Sequence, residues 1–175
     1  MQNYKALAVV LTLFAALTSQ ARSNYGINPE QIETARWAFD MAQQFSGIHS
    51  LEREYNPQKL PIIVLSESEM GQEVCPEDPG NCHGLAGLFE TKKKVIFIRS
   101  DLRPESDLVS LSFLVHEMVH SLQAEFKTED ELFGTCEKLF ATEKQAYDAQ
   151  DAFLKSEGQF FRAGNALRFF NCDNK

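Results

Sequence analysis

Residues 108–122 constrain the fold more than any other stretch of the chain. Leu108, Leu111, Leu114, Val115, Met118, Val119 and Leu122 recur at three- and four-residue spacing, which paints one apolar stripe along an α-helix. Inside that stripe stand His116, Glu117 and His120. Positions four apart on a helix lie ~40° apart around the axis and ~6 Å apart along it. Both imidazoles therefore sit on one face, where they can reach the same cation. Glu117 lies about 100° round from His116, beside the pair, where a carboxylate can take a proton from a bound water without being a ligand. Polar groups in an apolar helix cost free energy unless something satisfies them, so the pattern asks for a ligand.

The rest of the chain narrows the setting. It has 175 residues, 43% hydrophobic and 24% charged, a globular composition that excludes wholesale disorder. A net charge of −8, with no block of Lys or Arg beyond Lys92-Lys93-Lys94, argues against a nucleic-acid or anionic-membrane surface. That tripeptide reads as a solvated turn. Residues 1–21 have one charge, Lys5, then an apolar run from Ala6 to Leu17 and small residues at Ser19 and Ala21. This is the layout of a cleavable signal peptide, and the run is too short for the roughly 20 residues that span a bilayer. Residues 22–175 are then one exported domain, secreted or periplasmic, expected to be a monomer with no membrane contact. Four cysteines, Cys75, Cys82, Cys136 and Cys172, read in that setting as two disulfides. Three pairings are possible. Cys75–Cys82, closing a Pro/Gly/Asp loop, with Cys136–Cys172, tying the tail to a helix, is the favoured one.

Local signals place the remaining elements. Asn28-Pro29-Glu30 opens a helix that Gly47 ends. Leu60–Leu65 is a β-branched strand, and Leu85–Glu90 with Lys94–Arg99 forms a hairpin, its second strand the more buried. Thr128 with Glu131 is a capping box. A last helix runs from about Thr135 to Ser156, stopped by Gly158. Trp37 and the aromatic tail (Phe160, Phe161, Leu167, Phe169, Phe170) are expected to pack into the core. Helix, strands, then helices make an α+β fold with a small mixed or antiparallel sheet.

Two histidines do not complete a catalytic metal site, which commonly has three protein ligands. His49 and His83 lie upstream in unrelated segments. Downstream, Glu143 is the one carboxylate in the middle of the stripe Cys136, Leu139, Phe140, Ala146, Tyr147, Gln150, Phe153, Leu154. A carboxylate facing a core is costly unless a cation meets it. Asp148, one residue round from Tyr147, is its competitor.

Taken together, His116-Glu117-Met118-Val119-His120 and the later Glu143 resemble the zincin metallopeptidases in their gluzincin arrangement. The likeness covers roughly residues 60–155 in layout. The metzincin form is excluded, since Gln123 and Phe126 stand where its Gly and His belong. The thermolysin form of the second motif is not met either, because Thr142 precedes the glutamate and Tyr147 stands where its Asp should be. The resemblance implies a zincin-like fold with an active-site helix and a following ligand-bearing helix. It implies one Zn2+ held by His116, His120 and Glu143, with Glu117 as general base in hydrolysing a peptide or protein substrate. The oxyanion donor would be Tyr147 or His83. Gly84–Leu88 would be the edge strand that receives an extended peptide. The rival readings are a non-catalytic binding or inhibitory protein on the same disulfide-stapled scaffold, and an interaction module with a fortuitous motif.

Overall fold

The computed structural model describes residues 23–25 and 28–172. Residues 1–21, expected from the sequence to be a signal peptide, lie outside them. The fold is α+β. Its sheet has the order β1-β2-β4-β3, with β1 at Ser23–Tyr25, β2 at Ile62–Leu65, β3 at Gly87–Glu90 and β4 at Val95–Arg99. β1 runs antiparallel to β2, β2 parallel to β4, and β4 antiparallel to β3. The sheet is therefore mixed, and β3 is an edge.

Helix α1 (Pro29–Ser46) starts where the side chain of Asn28 accepts from Gln31 N, and Gly47 closes it in the left-handed region. Helix α2 (Glu67–Val74) follows β2, with a capping box between Ser66 and Glu69. Sequence periodicity misses this helix because only Met70 and Gly71 are buried along it. The hairpin strands begin and end inside the expected spans. Lys94 takes a left-handed turn conformation, so β4 starts one residue later, at Val95. Helix α3 (Leu108–Phe126) is capped by Asp107, whose carboxylate accepts from Ser110 N. Short helix α4 (Glu129–Phe133) has the capping box of Thr128 and Glu131, and α5 (Cys136–Ser156) is capped by Thr135.

Two apolar clusters cover the two faces of the sheet. Ile62, Ile96 and Ile98 pack against α1, α3 and α5. Leu65, Val95 and Phe97 pack under Met70 of α2. Burial on both faces explains why the run Val95–Ile98 is unbroken by polar residues. α3 lies in the thick layer with the outer edge strand β3 beside it, and this arrangement puts the middle of α3 under the sheet's rim.

The cysteines pair as Cys75–Cys82 and Cys136–Cys172. Such crosslinks persist in oxidising compartments. No helix among the described residues is long and apolar enough to cross a membrane. The tail departs from expectation. It forms a 3-10 turn over Ala163–Phe169, and Phe160, Phe161 and Phe169 are exposed. The core face of α5 is already filled by α1 and α3, so the tail lies along its outer side. Only Phe170 finds a ring partner there, Phe140 at 5.4 Å. Trp37 is likewise 40% exposed, with an edge contact to the core ring of Phe153.

Candidate metal centre

The crossing of α3 and α5 brings three ligand-type side chains to one point. His116 and His120 approach Nε2 to Nε2 at 3.1 Å. Glu143 lies 3.4 Å from each ring, Oε2 to His116 and Oε1 to His120. Each histidine faces a different oxygen of the carboxylate, and one ligand atom from each of the three residues lies within 4.8 Å of the others. The group could hold a metal ion, and its two nitrogens and one carboxylate suit a borderline cation.

The histidines are placed by more than helix spacing. Gln123, one turn beyond His120, presents its side-chain oxygen to His120 Nδ1 at 2.9 Å. Its amide nitrogen donates to Thr142 O and to Gln145 Oε1, which fixes the amide's orientation. The oxygen must then accept from Nδ1–H, and the Nε2 lone pair of His120 is left free for a cation. Gln145 in turn donates to Ser46 O at the end of α1. The sequence motif ends at His120, and the residue that orients it is three positions on.

Glu117 lies to one side, 6% exposed. Its Oε2 accepts from Phe89 N of β3 at 2.7 Å. The strand passes so close that a Cβ on Gly87 would stand 2.9 Å from Glu117 Cγ and 3.1 Å from its Oε1. Gly87 is therefore needed to admit the glutamate. The expectation that small residues in 84–88 serve a visiting peptide is revised for this position.

The charges are strongly coupled. Burial pushes the Glu117 carboxyl up, although the neighbouring histidines oppose it. Burial also works to raise Glu143. The hydrogen bonds from His116 and His120 overrule it and hold that carboxyl well below the usual range. His120 is the mirror case. Burial disfavours its cation, but Glu143 and the Glu117 charge outweigh that, and its pKa lies above the ordinary value. One carboxyl held below its usual range and one pushed above it thus sit side by side.

A cavity of about 570 Å³ opens over this group, between β3 and α5. Its apolar wall includes Leu85, Phe113, Phe133 and Leu139. Tyr147 lines it too, with its ring centre 4.4 Å from that of His116. Burial raises its phenol's pKa, and the charges of Glu143 and Glu117 add to that. It stays a hydrogen-bond donor at neutral pH. His83 is not in the cavity. Its exposed ring pairs with Glu67 Oε1 at 3.2 Å on the α2 side, because the loop closed by Cys75–Cys82 packs on that helix through Gly71 and Pro79. The donor role considered for His83 is withdrawn. Asp148 is spent on Lys144 at the surface, 2.6 Å away, so Glu143 has no rival on α5.

No protein-family model, curated protein or solved structure matches this chain. The reading of the site rests on its own geometry.

Proposed function

We propose that this chain is an exported zinc-dependent peptidase of the zincin kind, in the gluzincin arrangement. One observation carries the proposal: His116, His120 and Glu143 converge with Glu117 buried beside them, on the floor of a cavity walled by an edge strand. A structural metal would need the three ligands only. A buried carboxylate held near them, with its pKa raised, is what proton transfer asks for.

His116, His120 and Glu143 would hold the zinc. When bound, zinc supplies Lewis-acid polarisation of a carbonyl and acidifies a water molecule. Glu117 accepts the water's proton at its free Oε1 while Oε2 stays on Phe89 N, and then passes that proton to the leaving amine. Tyr147 donates from the far wall to the oxygen that gains charge. The substrate is a peptide, laid along β3 so that its backbone pairs with the edge. Arg99 N donates to Ala86 O, so Ala86 faces β4 and the next residue, Gly87, presents its amide and carbonyl outward. The two disulfides and the sequence of residues 1–21 support a secreted or periplasmic setting.

The test is metal content with hydrolysis. Purified protein is expected to hold one zinc per chain and to cleave a broad peptide library, losing cleavage to a chelator and regaining it with zinc. Zinc without any cleavage would instead favour a binding protein on the same scaffold. No metal uptake would sink the metal centre itself.

A further inference from the structure

Among the described residues, two buried side-chain polar atoms have no hydrogen-bond partner: His116 Nδ1 and Gln150 Oε1. They belong to facing helices, α3 and α5, and both residues line the same cavity. One atom is a ring nitrogen that must carry a proton if Nε2 binds a cation. The other is a carbonyl-type acceptor. Each supplies what the other lacks.

The orientation of the Gln150 amide follows from its neighbours. Ser112 Oγ donates to Val109 O at 2.7 Å, so the single hydroxyl proton is committed. Ser112 can then only accept, and it does so from Gln150 Nε2 at 2.9 Å. This leaves Oε1 as the free end of the amide. Ser112 stands one turn before His116 on α3. Gln150 stands two turns beyond Glu143 on α5, and the two helices run antiparallel, as the pairs Gln123–Thr142 and Ser112–Gln150 require. Gln150 therefore lies toward the His116 end of the group and Gln123 toward the His120 end.

We propose that Gln150 is the positioning residue of His116: its Oε1 receives the Nδ1 proton and aims Nε2 at the metal. This rests on the metal reading given above. The site then has one carboxamide per histidine. Gln123 serves His120 from the same helix, and Gln150 serves His116 from the opposite one. Each amide is locked by what its nitrogen donates to, Thr142 O and Gln145 on one side and Ser112 on the other. Neutral acceptors fix the tautomer without adding negative charge to a pocket that already holds Glu117 and Glu143.

Gln150→Leu and Gln150→Glu decide the matter, each compared with wild type in two measurements. The first is zinc affinity by competition with a chelator. The second is the imidazole N–H proton signal of His116 by NMR in the zinc-loaded protein. Gln150→Leu is expected to weaken zinc by about 10–100-fold and to lose the slowly exchanging, downfield His116 Nδ1–H signal. Gln150→Glu keeps an acceptor and is expected to retain or exceed wild-type affinity. Wild-type affinity and an unchanged signal in Gln150→Leu would overturn the proposal. Equal losses in both variants would also overturn it, marking Gln150 as packing alone. If the wild type took up no zinc, the metal reading would fall and this proposal with it, whereas zinc uptake that Gln150→Leu leaves unchanged would overturn the Gln150 role alone.

Discussion

Helices α1 and α3 have nearly the same length, 18 and 19 residues, and share one core, yet they fill it differently. α1 buries Ala35, Ala38, Phe39 and Ala42 and leaves the rest half-covered or exposed. It is an amphipathic helix with one narrow apolar face, and its small residues let the neighbouring helices come close. α3 buries thirteen residues, and seven of them are polar: Ser110, Ser112, His116, Glu117, His120, Ser121 and Gln123. A helix chosen for stability alone would not carry these groups into a core. The serines return their protons to their own helix, Ser112 to Val109 O and Ser121 to Met118 O. The histidines meet Glu143 of α5, His120 is also held by Gln123 of α3 itself, and Glu117 is held by β3. α1 makes the layer stable, and α3 trades stability for a site.

That contrast is testable by substitution on either side. The largest expected effect is His120→Ala, which should abolish stoichiometric zinc binding, measured by equilibrium dialysis, while the metal-free fold survives. Retained one-to-one zinc would break the distinction, because α3 would no longer be where the ligands are. Next comes Phe153→Ala, the fully buried ring that Trp37 and Phe45 of α1 contact. It should cost about 3–5 kcal/mol in denaturant unfolding and leave zinc affinity of the folded fraction unchanged. Gly87→Ala should keep zinc but lower peptide hydrolysis by roughly 100-fold, since a shift of about 1 Å in a catalytic group can cost that much. Its Cβ would press on Glu117, and steady-state kinetics would show a fall in kcat.

The smallest effects are at the helix caps, and they differ in their dependence on pH. Asn28 caps α1 with a neutral oxygen, and Asp107 caps α3 with a charged one. Either residue changed to Ala should cost about 1 kcal/mol at neutral pH. The hydrogen bonds from Ser110 hold the Asp107 carboxyl below its usual value. Its stabilisation is therefore present above the ordinary carboxylate range and is lost as pH falls through its folded-state pKa. The cost of Asp107→Ala should shrink in acid, whereas that of Asn28→Ala should not. Thermal melts from neutral to acid pH check both.

The two helices also differed in how much of them could be read beforehand. α1 was legible end to end, because its start, stripe and stop are all local: Asn28, Pro29, the alanine face and Gly47. On α3 the His116/His120 spacing was legible for the same reason. Glu143 could be found as the one acid on an apolar stripe. What escaped depends on how helices cross. Gln150 falls on the inward stripe of α5 by its spacing and Gln123 does not stand out at all, and nothing in the sequence shows that these amides meet a serine and a histidine. At Gly87 the sequence shows only a small residue in a strand, and the packing of β3 over α3 is what sets it against Glu117. The α2 helix and the β1 pairing, Ser23–Tyr25 with residues 62–64, carry too few apolar positions for any period to appear. The tail was misjudged because its aromatics suggest burial, but no core face remained for them.

The account turns on Glu117 being a working base beside the ligands. The direct test is Glu117→Gln, an isosteric change that can keep the bond from Phe89 N, assayed for zinc content and for peptide hydrolysis next to wild type. The expected result is one zinc per chain in both proteins and cleavage by wild type alone. Equal cleavage by both, or a zinc-loaded wild type that cleaves nothing, would contradict it.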